Sequence, residues 1–124
     1  MQTFRDLRVW QEAHSFVLQV YRVTDSFPPS ERYGLTSQLR PSAVSVPANI
    51  VEGFKRKGDK EFSRFLTVAQ ASLEEARYLL FLARDLEYLS ANAYKEVDTQ
   101  ADTVGKMLHG LAVKVKPGAS RSKP

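Results

Sequence analysis

The chain has 124 residues, of which 43% are hydrophobic and 26% are charged, and these proportions are typical of one soluble globular domain. It has no cysteine, which excludes a disulfide framework, a thiolate zinc site and a cysteine nucleophile. The net charge of +4 belongs to the last eleven residues, because residues 1–113 hold equal numbers of basic and acidic side chains.

Apolar residues at helical spacing predict two helices in the first half of the chain. The first begins near Asp6 and ends before Phe27-Pro28-Pro29, because a residue that precedes proline is pushed out of the helical region. The second begins at Ser30, and its apolar stripe continues through Pro41 and Pro47. Each proline removes a backbone donor, so two broken helices are an alternative. The unbroken phase of the stripe favours one kinked helix.

Two more helices follow in the second half. The third begins at its cap, Asp59, and has about thirty residues, hence a length of about 45 Å. The fourth is capped by Ser90. Short connections between long helices force neighbours to run antiparallel. The sequence therefore predicts an all-α fold, an antiparallel up-down-up-down four-helix bundle over residues 1–115. Residues 116–124 have no large apolar side chain and are predicted to be a disordered basic tail.

The first and third helices carry more apolar residues than one inward face requires. A second row follows the first helix at seven-residue spacing, and residues 78–82 of the third are apolar all round. A broad core face together with scattered apolar surface residues is one explanation, but a contiguous exposed patch usually marks a subunit interface. We therefore expect a homo-oligomer. The candidate interface residues are Val9, Phe16, Val23, Tyr78, Phe81 and Leu82.

Polar side chains occur on the second helix where an apolar face is expected. Ser45, Asn49 and Glu52 are three or four residues apart and share one face. Buried amides and carboxylates need hydrogen-bond partners. The favoured interpretation is a buried polar network that fixes helix register, and a ligand pocket is the alternative.

The densest basic cluster surrounds the turn into the third helix. Its members are Lys55, Arg56, Lys57, Lys60 and Arg64. Phosphate groups would meet both these charges and the free amides of a helix N-terminus there. A solvated turn, with Asp59 and Glu61 diluting the positive charge, is the alternative. The nearby aromatic residues have the spacing of core positions.

Catalytic and metal-binding patterns are lacking in the sequence. His14 and His109 have no Glu-x-x-His partner, and no glycine-rich phosphate loop occurs. We predict no enzymatic activity, no cofactor, no metal and no small-molecule substrate. No apolar run is long enough to cross a membrane, and the first ten residues lack an apolar signal core, so a cytoplasmic location is expected.

Five segments occur in an order that resembles a known family. They are FRDLRVWQ (4–11), YGLTSQLR (33–40), SVPANIVEG (45–53), FSRFL (62–66) and ASLEE (71–75). The chain resembles, over roughly residues 4 to 115, the four-helix bundle proteins encoded in intervening sequences of bacterial large-subunit ribosomal RNA genes. The resemblance implies an antiparallel four-helix bundle and a ring-shaped homopentamer. It carries over no catalytic residues.

A related protein, the accessory variability determinant of diversity-generating retroelements, is a basic pentameric barrel that binds nucleic acid and a reverse transcriptase. The present chain departs from these proteins in two ways. Pro41 stands where family members often carry a second basic residue after the one matching Arg40. In addition, residues 1–113 of this chain carry no net charge, whereas the related protein is basic.

The leading hypothesis is a non-enzymatic, oligomeric module associated with RNA, DNA or a ribonucleoprotein. The basic cluster would supply the phosphate contacts, helped by the tail. The main alternative is a structural or protein-binding scaffold without nucleic-acid contact. A small-molecule-binding bundle that uses Asn49 and Glu52 is a third hypothesis.

Overall fold

The computed structural model describes residues 3–116, and four α-helices make up most of this range. The helices are α1 (Arg8–Thr24), α2 (Leu35–Lys55), α3 (Asp59–Asp85) and α4 (Ala91–Val115). Short 3-10 helices precede α1 at Phe4–Asp6 and α2 at Pro29–Glu31. The described residues contain no strand, so the all-α prediction is confirmed. The predicted disordered tail lies outside the described residues, apart from Lys116.

The four helices close into a bundle in which each contacts two others. α1 packs on α2 and α4, and α3 packs on the same two helices. Because the connections are short, successive helices run antiparallel, as predicted. The start of α1, the α2–α3 turn and the end of α4 therefore lie at one end of the bundle. The α1–α2 and α3–α4 connections lie at the opposite end.

α2 is one continuous helix through Pro41 and Pro47, as its apolar phase predicts, but it begins later than predicted. The predicted start at Ser30 is wrong, because the 3-10 helix there ends before α2 begins at Leu35. The Glu31 carboxylate accepts a hydrogen bond of 2.9 Å from the Leu35 amide. A side chain outside α2 thus satisfies one of the free amides at the helix N-terminus.

The core between the four helices consists of aliphatic side chains and two phenylalanines, Phe16 and Phe27. Its largest fully buried residues are Phe16, Leu39, Ile50, Leu66, Leu73, Leu80 and Leu108. The cap predicted at Ser90 is confirmed, because its side chain accepts a hydrogen bond from the Ala93 amide.

The prediction of an outward apolar row on α1 is wrong. Phe16 is completely buried and Val9 is 5% exposed, both within the core of the single chain. Val23 is half-buried against that core. The buried face of α1 is broader than one stripe, because Ala13, Val17 and Val20 are buried together with Val9 and Phe16. Val9 and Phe16 are therefore unavailable to a second subunit.

Candidate nucleic-acid interface

The predicted basic cluster lies on a tight turn between α2 and α3. α2 ends at Lys55, and the next residue, Arg56, is extended. Gly58 has a φ of 88°, in the left-handed region that favours glycine. Asp59 is the first residue of α3 rather than its cap, and a negative charge in the first turn is favourable to the helix dipole. All five basic residues of the cluster are exposed.

Arg56 and Arg64 are held by contacts within the chain. Arg56 Nη2 lies 3.1 Å from Glu52 Oε1, and Arg64 Nη2 lies 3.0 Å from Glu61 Oε1. Both guanidinium carbons lie 5.1 Å from the centroid of the Phe65 ring, within the range of cation–π attraction. The hydrogen bond from Arg64 holds the pKa of Glu61 below its ordinary value. These two arginines therefore stabilise the turn in the absence of any ligand.

Lys55, Lys57 and Lys60 are held less firmly than the two arginines of this turn. Within residues 3–116 none of the three forms an ion pair. A lysine ammonium is a compact point charge on a flexible stem and is a common phosphate ligand. An anion that binds these lysines therefore breaks no ion pair within residues 3–116, although the charge of Lys60 also attracts the Glu61 carboxylate.

Two further cationic segments, which were not predicted as part of the site, lie at the same end of the bundle. Arg5, in the 3-10 helix before α1, lines a pocket of about 390 Å³ together with Lys55. Arg8, the first residue of α1, lines a pocket of about 360 Å³ together with Lys114 of α4. The predicted antiparallel topology was the signal that could have found these neighbours.

Positive charge is concentrated at this end of the bundle, which we call the basic end. Its nine cations are Arg5, Arg8, Lys55, Arg56, Lys57, Lys60, Arg64, Lys114 and Lys116. The same region, taken to two turns from each helix end, contains five acids: Asp6, Glu12, Glu52, Asp59 and Glu61. The opposite end holds equal numbers of basic and acidic residues. Seven of the nine cations lie within residues 1–113, where they exceed the five acids by two, and Lys114 and Lys116 raise the excess to four. The fold therefore gives a polarised surface to a chain whose first 113 residues are neutral by count.

A polar network joins α2 to α3, with a membership that differs from the prediction. The hydroxyl oxygens of Ser45 and Ser72 lie 2.8 Å apart, and Asn49 Nδ2 donates to the Ser45 carbonyl (2.8 Å) and hydroxyl (2.9 Å). Placing Glu52 in a buried network is wrong, because its side chain is exposed and pairs with Arg56. Ser72 was missed because its spacing along α3 gives no signal of a partner on α2.

The apolar segment on α3 is partly exposed. Tyr78 is 61% exposed and Phe81 is 43% exposed, whereas Leu82 is half-buried and packs against the core. The Arg84 guanidinium carbon lies 4.4 Å from the centroid of the Phe81 ring and 4.9 Å from that of Tyr94. Of the six predicted interface residues, Tyr78 and Phe81 are therefore the two with large exposed surfaces.

No group of three or more histidine, aspartate or glutamate side chains within residues 3–116 is arranged to hold a metal ion. His14 is exposed and stacks on Trp10, with ring centroids 5.1 Å apart. None of the helices in the described range combines the length and apolar character that a membrane span requires.

Comparison with known proteins places the fold and the family. A crystal structure of a protein of unknown function from the S23 ribosomal protein family of Bacteroides thetaiotaomicron VPI-5482 has a TM-score of 0.77 with this structure. The match covers 84% of this chain and 94% of that chain at 20% sequence identity, and it shows a shared fold. No curated protein matches the sequence significantly. The family model of the 23S rRNA-intervening sequence proteins matches residues 5–110, and since this range is most of the chain, the protein belongs to that family.

Proposed function

We propose that the protein is a non-enzymatic, self-associating bundle that binds the phosphate backbone of nucleic acid through its basic end. The observation that carries this proposal is the gathering of cations from three separate segments of the chain. These segments are the start of α1, the α2–α3 turn and the end of α4. Arg121 and Lys123 add two more positive charges in the C-terminal segment.

The energetics favour phosphate as the ligand of this surface. Each phosphate that a cation neutralises releases condensed counterions, so affinity comes from charge and falls as salt is added. Lys55, Lys57 and Lys60 form no ion pair within residues 3–116. Arg5 lines a pocket with Lys55, and Lys114 lines another with Arg8 at the same end of the bundle. The family name refers to ribosomal RNA, which makes RNA the first nucleic acid to test.

A charge-reversal experiment tests the proposal. RNA binding is titrated at several salt concentrations for the wild type and for a triple variant, Lys55→Glu, Lys57→Glu and Lys60→Glu. The matched control reverses Arg22, Arg32 and Lys95, which are exposed at the opposite end, so both variants change the net charge equally. We expect the first variant to lose binding and the second to retain most of it. Equal losses, or no binding by the wild type, would overturn the proposal.

A structural or protein-binding scaffold is the second candidate function, and the exposed Tyr78 and Phe81 side chains favour it. Large aromatic side chains are enriched at protein interfaces. The surface formed by Tyr78 and Phe81 also supports the self-association of the proposed nucleic-acid-binding bundle. The family resemblance implies that the oligomer is a pentamer. Light scattering measures the mass of the particle at low concentration. An oligomer with salt-insensitive or absent RNA binding favours the scaffold alone, and a stable monomer rules out self-association.

A further inference from the structure

One pocket at the basic end combines an apolar lining with cations. Phe4, Val51 and Phe54, all half-buried, supply its apolar residues. Arg5 and Lys55 supply the cations. Its volume of about 390 Å³ falls within the range of small-molecule sites in proteins. The pocket thus offers an apolar surface and positive charge to the same ligand.

The two cations of this pocket, Arg5 and Lys55, form no ion pair within residues 3–116. The Arg5 guanidinium carbon lies 5.1 Å from the centroid of the Phe4 ring, so positive charge and an aromatic ring are presented side by side. A ligand that complements them has a flat apolar body and a negative group attached to it.

We infer that this pocket takes an unpaired base of a single-stranded nucleic acid, with the flanking phosphates on Arg5 and Lys55. The inference rests on the proposed function and names the kind of strand that the basic end prefers. Proteins bind single strands by combining a positive surface with aromatic side chains on which bases stack. A base inside a duplex is already stacked and paired, so reaching the pocket would cost the free energy of extruding it. The basic end therefore prefers single strands to duplexes.

The protein contains its own reporter for this pocket. Trp10 is its single tryptophan, and its ring centroid lies 4.9 Å from that of Phe4. A base that stacks beside Phe4 changes the surroundings of the indole, so Trp10 fluorescence changes on binding. Phosphate binding at the α2–α3 turn alone leaves that emission unchanged.

The test compares a single-stranded oligoadenylate RNA with an abasic phosphodiester oligomer of the same length. We expect the oligoadenylate to bind about tenfold more tightly, because one stacked base contributes on that scale, and to alter Trp10 fluorescence. Equal affinities with unchanged fluorescence would overturn the base pocket while leaving phosphate binding in place. Absence of salt-dependent binding to both oligomers would overturn the proposed function as well.

A pair of matched variants locates the effect. Val51→Phe fills the pocket, and Val44→Phe makes the same change two turns earlier on α2, at a residue that is 39% exposed and outside the pocket. We expect Val51→Phe to bind the oligoadenylate no more tightly than the abasic oligomer, with the salt dependence unchanged, and Val44→Phe to bind as the wild type does. Phe4→Leu provides a second variant in case Val51→Phe does not fold. Wild-type affinity in both pocket variants would contradict the inference.

Discussion

Tyr88 donates a hydrogen bond of 2.9 Å from its hydroxyl to the Glu31 carboxylate, and this bond joins the α3–α4 connection to the α1–α2 connection. The other oxygen of the same carboxylate accepts from the Leu35 amide at the start of α2. The Tyr88 ring also packs against Phe27, with centroids 5.7 Å apart. One carboxylate therefore joins two connections and a helix start at the end of the bundle opposite the basic end.

The stability contributed by Glu31 should depend on pH. The hydrogen bonds from Leu35 and Tyr88 hold the pKa of Glu31 below its ordinary value in the folded state. A lowered pKa contributes stability above the unfolded-state value, and that stability is lost as the pH falls through the folded-state value. As the pH is lowered through the folded-state pKa of Glu31, we expect the melting temperature of Glu31→Gln to fall less than that of the wild type. Circular dichroism melting at a series of pH values measures it.

The matched control for this measurement is Glu96→Gln, which removes an exposed carboxylate on α4. Its acid dependence should follow the wild type. If Glu31→Gln also follows the wild type, Glu31 does not stabilise the bundle in the way that its hydrogen bonds indicate.

Gly53 marks a close approach of α2 to α3. A Cβ at this position would lie 2.8 Å from Phe62 Cδ1 and 2.9 Å from Phe65 Cβ. We expect Gly53→Ala to destabilise the protein by about 1–3 kcal/mol, the usual range for overpacking a core. Gly110→Ala is the matched control, because a Cβ on α4 there meets nothing within 4 Å. It should stabilise by about 0.4–1 kcal/mol. Urea denaturation measures both, and destabilisation by both changes would contradict the packing account.

The network between α2 and α3 should contribute to stability, whereas the neighbouring ion pair should contribute little. Asn49→Ala removes the amide that bonds to Ser45, and we expect a loss of about 1 kcal/mol. Glu52→Ala removes an exposed carboxylate that pairs with Arg56, and its cost should stay below about 1 kcal/mol. Denaturant titration gives both values. An Asn49→Ala variant as stable as the wild type would indicate a role other than structural.

The exposed aromatic surface on α3 should control assembly. We expect Tyr78→Lys to lower the mass of the particle, because burying an unpaired ammonium in an apolar contact is costly. Val113→Lys, at a residue that is 54% exposed on α4, is the control and should leave the mass unchanged. Light scattering over a range of concentrations compares them. An unchanged mass for Tyr78→Lys would show that the subunit interface lies elsewhere on the protein.

Helix number, order and direction could be predicted because apolar spacing and short connections depend on local sequence. The start of α2 could not, since it depends on the Glu31 side chain reaching the Leu35 amide from outside the helix. The width of the buried face of α1 depends on how closely α2 and α4 enclose it, so burial of Val9 and Phe16 was not predicted.

The site depends still more on tertiary structure. The lysines of the α2–α3 turn are close in sequence and were found as a cluster. The fold alone brings Arg5 to Lys55 and pairs Lys114 with Arg8 at the same end of the bundle. Counting charges along the chain gave a neutral body, because acids in the middle of α3 and α4, such as Glu74 and Asp98, balance cations that lie at one end.

Mapping of RNA contacts by backbone amide chemical shifts tests most directly whether the basic end is the binding surface. On addition of single-stranded RNA, we expect shifts at the start of α1, in the α2–α3 turn and at the end of α4. The α1–α2 and α3–α4 connections should remain unchanged. Shifts centred on those two connections, or a spectrum that does not respond to RNA, would contradict binding at the basic end.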